Sequence, residues 1–237
     1  NWTRDNDVNV TGMPTSGSGD FVNGTLFNAT NTVQTTNFTV YAVSDEGCFS
    51  DTFVVSIDVK PIPTVDAFPL SQSVCSEENI TQIDFLNPNN VTGTTYSWTF
   101  ADNANVSGEA IGTNQNNIGQ TLTNTTNIDQ QVVYTVTPTS GTCVGSTFTL
   151  TATVNPKPLI ADKTQTICSG NAFTIAPING GSEIVPAGTQ YTWTVVNNTN
   201  VSGDVNEATA QNTVSQTICF GDTLLGYTTT GVYRDTF

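Results

Sequence analysis

Three tryptophans, Trp2, Trp98 and Trp193, stand 96 and 95 residues apart. Each is followed ten residues later by a glycine, within Asn9-Val10-Thr11-Gly12, Asn105-Val106-Ser107-Gly108 and Asn200-Val201-Ser202-Gly203. At the same offset Leu26-Phe27-Asn28-Ala29-Thr30-Asn31 aligns with Leu122-Thr123-Asn124-Thr125-Thr126-Asn127, and Gly47-Cys48 with Thr142-Cys143. The runs 52–59 and 147–154 each lead into Pro-x-Pro, at Pro61-Ile62-Pro63 and Pro156-Lys157-Pro158. So many matches at one period mean tandem modules of about 95 residues, each with its own small core. Proline removes a ladder donor and favours extended backbone, so the Pro-x-Pro stretches read as linkers. The expected division is the C-terminal part of one repeat at 1–63, a complete repeat at 64–158 and the N-terminal part of a third at 159–212. Beginning at Asn1 without a start Met, the chain reads as a window from a longer polypeptide.

Within a module the side chains alternate. Tyr96-Ser97-Trp98-Thr99-Phe100 and Tyr191-Thr192-Trp193-Thr194-Val195 set aromatics on one face and hydroxyls on the other. Phe148-Thr149-Leu150-Thr151-Ala152-Thr153-Val154 does the same, and Phe53, Val55, Ile57 and Val59 are expected inward in its counterpart. A period of two with β-branched outward residues marks half-buried strands. Residues 132–137 and 148–154 read as a terminal hairpin. No stretch shows helical periodicity. The fold class is therefore all-β, tandem immunoglobulin-like β-sandwiches of about seven short strands each. The candidate structural core is Trp2, Trp98, Trp193, Tyr134 and Phe148.

The third module departs from this pattern. Gln216-Thr217-Ile218-Cys219-Phe220-Gly221-Asp222 resembles the module start Gln165-Thr166-Ile167-Cys168-Ser169-Gly170-Asn171. Cys75 and Cys168 are 93 residues apart, but Cys168 and Cys219 only 51. This spacing predicts that 213–237 opens a further repeat of different type, with a segment missing near 206–213.

Five cysteines fall in two contexts, module starts (Cys75, Cys168) and the hairpin before the last strand (Cys48, Cys143). One of each per module predicts an intramodule Cys75–Cys143 bridge. Cys48 would then pair with a residue before Asn1, and Cys168 with one after Phe237. Disulfides imply an oxidising, extracytoplasmic place.

Charge and composition exclude several functions. Five Lys and Arg against 20 Asp and Glu leave a net charge of −15, which cannot neutralise a row of phosphates. With no histidine, there is no Ser-His-Asp triad and no imidazole metal ligand. No run of 18 apolar residues offers a membrane span. The acids do not recur at matched positions, so no paired carboxylates are expected to catalyse. Arg4-Asp5-Asn6-Asp7 is the one stretch suggestive of calcium, by its hard oxygen ligands, although it lacks the spacing of a known loop. Catalytic residues, cofactors and a resident metal are expected to be none. Asn-x-Ser/Thr triplets are frequent, but so Asn- and Thr-rich a chain produces them by composition.

The Tyr-x-Trp-Thr strand, Asn-Val-Ser-Gly, Val133-Tyr134-Thr135-Val136-Thr137-Pro138, Gly141-Thr142-Cys143 and Pro156-Lys157-Pro158 resemble PKD-like, immunoglobulin-like repeats of giant Bacteroidetes surface adhesins, of the gliding-motility (SprB-like) type. Residues 218–224 with 227–233 resemble a second repeat type of the same proteins. The chain lacks the better-known Trp-Asp-Phe-Gly-Asp-Gly and has Trp98-Thr99-Phe100-Ala101-Asp102-Asn103 there. The resemblance implies type IX secretion, anchoring at the outer surface and an extracellular surface or glycan ligand. It implies a non-catalytic adhesive stalk active in attachment and gliding. The competing reading is a carbohydrate-binding or accessory module of a secreted polysaccharide-degrading enzyme, with Trp98 as its sugar platform.

Overall fold

The structure is a computed structural model and describes residues 1–69, 71–220 and 229–232. Among the described residues there are strands and no α-helix, so none is long and apolar enough to cross a membrane. The first repeat holds β1 (Trp2–Arg4), β2 (Gln34–Val40) and β3 (Phe53–Val59), joined by the short strand Ser16–Gly17 into one antiparallel sheet.

The second repeat is the complete one. Its strands are β4 (Asp66–Phe68), β5 (Ser71–Cys75), β6 (Ile83–Leu86), β7 (Thr94–Phe100), β8 (Gly112–Gln115), β9 (Asn117–Ile118), β10 (Gln130–Ser140) and β11 (Phe148–Asn155). One sheet runs β8-β7-β10-β11-β5 and the facing one β9-β6-β4. Alternation builds the core. On β10, Val132, Tyr134 and Val136 point inward and are fully buried, while the residues between them are half-exposed. On β11, Leu150, Ala152 and Val154 do the same, and Ile83 and Phe85 close the layer from β6. Phe85 packs on Tyr96 and Trp98 with ring centroids 5.1 and 5.7 Å apart, tilted as aromatic quadrupoles prefer. This is the two-layer sandwich that the alternation predicts.

The first repeat presents the same inward pattern with a different outcome. Phe53, Val55 and Ile57 are 57%, 41% and 40% exposed, whereas Leu150 and Ala152 are buried. Alternation selects which face is apolar, and burial requires a second sheet against it. Among the described residues no strand covers this face.

The third repeat holds β12 (Thr164–Ile167), β13 (Ala172–Ile175), β14 (Tyr191–Trp193), β15 (Glu207–Gln211), β16 (Val214–Thr217), β17 (Cys219–Phe220) and β18 (Thr229–Val232). β16 pairs with β13, β17 pairs with Val201–Ser202, and β18 pairs with β12. Residues 214–220, expected from their spacing to open a new repeat, thus pair within the third. Gln216-Thr217-Ile218 carries two likenesses, to the module start 165–167 and to Gln120-Thr121-Leu122. The structure uses the second. The Gln120 amide donates to the Ala110 carbonyl and the Gln216 amide to the Val205 carbonyl. Indole N–H groups of Trp98 and Trp193 bond the same two carbonyls at 3.0 and 3.1 Å. From Ala110 to Gln120 is 120 − 110 = 10 residues, and from Val205 to Gln216 is 216 − 205 = 11, so these stretches differ in length by one residue. The resemblance of 218–224 and 227–233 to a second repeat type falls half outside the described residues.

Candidate functional site

The repeated tryptophan is a packing centre. Trp98 is 6% exposed, its indole N–H is bonded to Ala110, and its ring lies against Gly112, where an added Cβ would collide with it. Trp2 lies against Gly17 in the same way. Buried on both faces, Trp98 has no surface on which a sugar could stack. In the third repeat Glu207 stands opposite Trp193, where the others have glycine, and Trp193 is only half-buried. Gly112→Ala is expected to destabilise the second repeat by about 2 kcal/mol, because the ring must leave its rotamer. Urea unfolding followed by circular dichroism will measure it. Of the remaining candidate core residues, Trp2 and Tyr134 are buried and Phe148 lies half-buried at the margin. Burial, and secondarily the Glu109 charge, raises the Tyr134 phenol above its ordinary range, and its hydroxyl donates to Gln120 Oε1 at 2.8 Å.

The glycine ten residues after each tryptophan has a steric cause. Gly12, Gly108 and Gly203 have φ of +99°, +98° and +89°. A Cβ there would strike the carbonyl of Thr25, Thr121 and Thr217 respectively.

Arg4-Asp5-Asn6-Asp7 is spent on the fold. The buried Arg4 guanidinium donates to the carbonyls of Pro14 at 2.9 Å, Val10 at 2.9 Å and Met13 at 2.6 Å. Asp5 accepts the Asn37 backbone N–H at 2.7 Å and its side-chain amide at 2.9 Å. These bonds, the backbone one first, hold the Asp5 carboxyl below its ordinary range. Among the described residues no three Cys, Asp or Glu side chains are grouped as metal ligands.

The structure does not bring Cys75 and Cys143 together. β5 pairs in parallel with β11, setting Cys75 beside Asn155 at one end of the sheet. Cys143 pairs with Ser140 in the hairpin that precedes Phe148, at the other end. Along β10 the two levels are at least 140 − 130 = 10 residues apart, from Gln130 beside Val154 to Ser140 beside Cys143, or about 33 Å, against the roughly 4–7 Å between Cα atoms that a disulfide needs. All five thiols are free. The expectation assumes that first and last strands place their cysteines at one end, and the parallel pairing sends the first strand the other way. Mapping of unreduced peptides is expected to return Cys75 and Cys143 unlinked to each other.

Several residues that hold the repeats together carry no signal of that role in their spacing. Asn124, 2% exposed, and its counterpart Asn28 each tie a loop to the closing strand. Their shared Asn-x-Thr is visible but coincides with the composition. At the first linker, the Asn89 amide donates to the Ile62 carbonyl at 2.8 Å and its oxygen accepts the Thr64 N–H at 3.2 Å. Gly145 sits directly against the Pro63 carbonyl, and Pro61 and Pro63 are buried. The linker is thus docked on the second repeat. At the second linker Leu159 exchanges both backbone bonds with Ile184 at 2.9 Å. Beside it the buried Glu183 accepts the Ala161 N–H at 3.0 Å and pairs with Lys163 at 2.6 Å. The Lys163 bond first, and then Ala161, keep the Glu183 carboxyl below its ordinary range.

A family model described as "PKD-like domain" matches residues 1–63, 72–158 and 165–233. The chain belongs to the PKD-like domain family. Its PKD-like repeats share overall likeness with several solved structures. Domains 4 and 5 of the S-layer protein SbsC are 16% identical over 65% of this chain and 70% of that one, with a TM-score of 0.28. The human Desmocollin-1 ectodomain is 11% identical over 98% of this chain and 51% of that one, at 0.31. The chicken CNTN1 FN1–FN3 domains are 11% identical over 85% and 76%, at 0.30. Such low TM-scores carry nothing beyond a general likeness. No curated protein matches the chain.

Proposed function

We propose that this chain is a structural stalk segment of a large secreted cell-surface adhesin, acting in attachment and gliding without catalysis. The observation that carries the reading is the docked linker. Asn89, Gly145 and two buried prolines turn Pro61–Thr64 into a joint seated on the second repeat, and such a joint serves reach and orientation. The charged and amide side chains Arg4, Asp5, Asn124 and Glu183 are likewise spent on holding loops and linkers. A net charge of −15 keeps an extended Thr- and Asn-faced rod solvated and apart from its neighbours.

Outer-surface location and type IX export rest on the resemblance of the repeat motifs to gliding-motility adhesins. An antibody to this chain is expected to label intact, unpermeabilised cells of the source organism, and deleting the repeats to weaken their attachment. Labelling only after permeabilisation would overturn the location. Specific retention of the chain on a glycan array, lost when one exposed aromatic is changed, would favour the carbohydrate-binding reading instead. For the joint itself, Asn89→Ala with Gly145→Ala is expected to raise the radius of gyration and blur the scattering profile of the chain. Each repeat should keep its circular dichroism, because the changes lie in the linker contacts.

A further inference from the structure

The turn that follows β5 in the second repeat carries a residue that its backbone does not suit. Cys75-Ser76-Glu77-Glu78 closes with the Glu78 N–H donating to the Cys75 carbonyl at 3.1 Å, and Glu77 has φ of +70°. The third repeat makes the same turn at Cys168-Ser169-Gly170-Asn171. There the Asn171 N–H donates to the Cys168 carbonyl at 3.1 Å, and Gly170 has φ of +82°. The two turns are also seated alike, because the Glu77 N–H donates to Leu122 at 2.8 Å and the Gly170 N–H to Ile218 at 2.9 Å. A turn whose third residue is left-handed favours glycine, which has no Cβ to strain it. Open space surrounds Gly170, so conformation and not crowding makes glycine the fit residue. Glutamate at this place in the second repeat is strained, and nothing in its own turn offsets the strain.

The linker supplies what the turn lacks. β5 lies parallel to β11, and the Ser76 N–H donates to the Asn155 carbonyl at 2.8 Å. The turn therefore stands where the chain leaves the repeat for Pro156-Lys157-Pro158. Across that gap Lys157 Nζ donates to Glu77 Oε2 at 2.7 Å. Glu78 adds its charge to the same ammonium. The two side chains of the pair are 60% and 56% exposed, so salt reaches it and the tie is a weak one. In the first linker the matching position is Ile62, which carries no charge. That linker is seated forward, by Asn89, on the repeat that follows it. Strained residues persist where the surroundings hold them for a role, and at Glu77 the contact to Lys157 is the one that reaches the joint.

We propose that Glu77 and Lys157 form an ionic latch, which holds the second linker back against the repeat it leaves and releases it in salt. The joint between the second and third repeats is then stiffer at low ionic strength and freer at high. The first joint, held by amide hydrogen bonds and buried prolines, keeps its seat in both. The latch follows from the turn and the linker alone, and it does not depend on what the stalk attaches to.

Glu77→Gly in the full chain tests it through two effects of opposite sense. Relief of strain is expected to slow hydrogen exchange in the second repeat about fivefold. Loss of the latch is expected to raise the radius of gyration at low salt to the value the wild type reaches in about 1 M sodium chloride, where charges are screened within about 3 Å. Lys157→Ala is expected to give the same rise with no slowing of exchange, and salt should then raise the radius no further. Carbodiimide treatment of the wild type at low salt should join Lys157 Nζ to the Glu77 carboxyl as an amide, the reagent taking up the water as its urea. Faster exchange in Glu77→Gly would overturn the proposal, because Glu77 would then serve the fold of its own repeat. A radius that neither salt nor Lys157→Ala changes would overturn it equally.

Discussion

Trp98→Ala is expected to cost the second repeat about 3–5 kcal/mol, the range for emptying a large buried aromatic site. The side chain buries on the order of 200 Å², worth about 5 kcal/mol at roughly 25 cal/mol per Å². The site cannot easily collapse. Phe85 and Val136 hold it from two strands, and Gly112 has no side chain to swing in. The Ala110 carbonyl keeps a donor in Gln120, so the loss is packing more than hydrogen bonding. The chain holds its own control. Trp193 bonds the matching carbonyl but stands half-buried opposite Glu207, so Trp193→Ala is expected to cost less than half as much. Native-state exchange at β10 and β14 amides will read the two repeats separately, which a single melting curve of a multi-repeat chain does not. Equal losses would show that the shared indole bond, rather than ring burial, carries the stability.

What the sequence makes legible is local. Period-two alternation and proline punctuation depend on neighbours a few residues away, and they locate the strands and the Pro-x-Pro linkers. Burial and direction depend on partners far along the chain. Val55 and Leu150 sit in the same pattern, yet one is 41% exposed and the other 1%, because only the second has a sheet across from it. Cys75 and Cys143 look in sequence like ends of one staple, and the parallel β5–β11 pairing puts them at opposite ends of the sheet. Gln216-Thr217-Ile218 matches the module start 165–167 at all three residues and 120–122 at two, yet strand pairing selects the second. Asn89 reads as turn chemistry, which it is, but its linker partners lie 25 and 27 residues away. The residues most diagnostic of the structural role are therefore those whose partners sequence spacing does not reveal.

Asn124→Ala is expected to destabilise the second repeat by about 3 kcal/mol, the upper end for losing a buried hydrogen-bonded group. Asn124 is 2% exposed and uses its whole amide. Its Nδ2 donates to the carbonyls of Ile128 at 2.7 Å and Val154 at 2.8 Å. Its Oδ1 accepts the Thr126 backbone N–H and hydroxyl, each at 2.8 Å. The Val154 carbonyl matters most, because it lies at the end of β11, where the chain leaves for the second linker. Alanine would remove the side-chain donor from that buried acceptor and leave a void, and losing a buried hydrogen-bonded group costs about 1–3 kcal/mol. The loop 124–128 would also lose its internal tie. Asn124→Asp keeps the shape but replaces both donors with acceptors facing carbonyl oxygens, so it is expected to lose at least as much as alanine. Thr126→Ala removes one hydroxyl and should cost about 1 kcal/mol. Asn28 makes the same four bonds in the first repeat, to Thr32, Val59 and Thr30. Being less buried, it is expected to lose less when changed to alanine. Chemical denaturation with exchange at Val154 for the second-repeat variants and at Val59 for Asn28→Ala will rank the four variants, and a small loss for Asn124→Asp would show that shape, not donation, holds the loop.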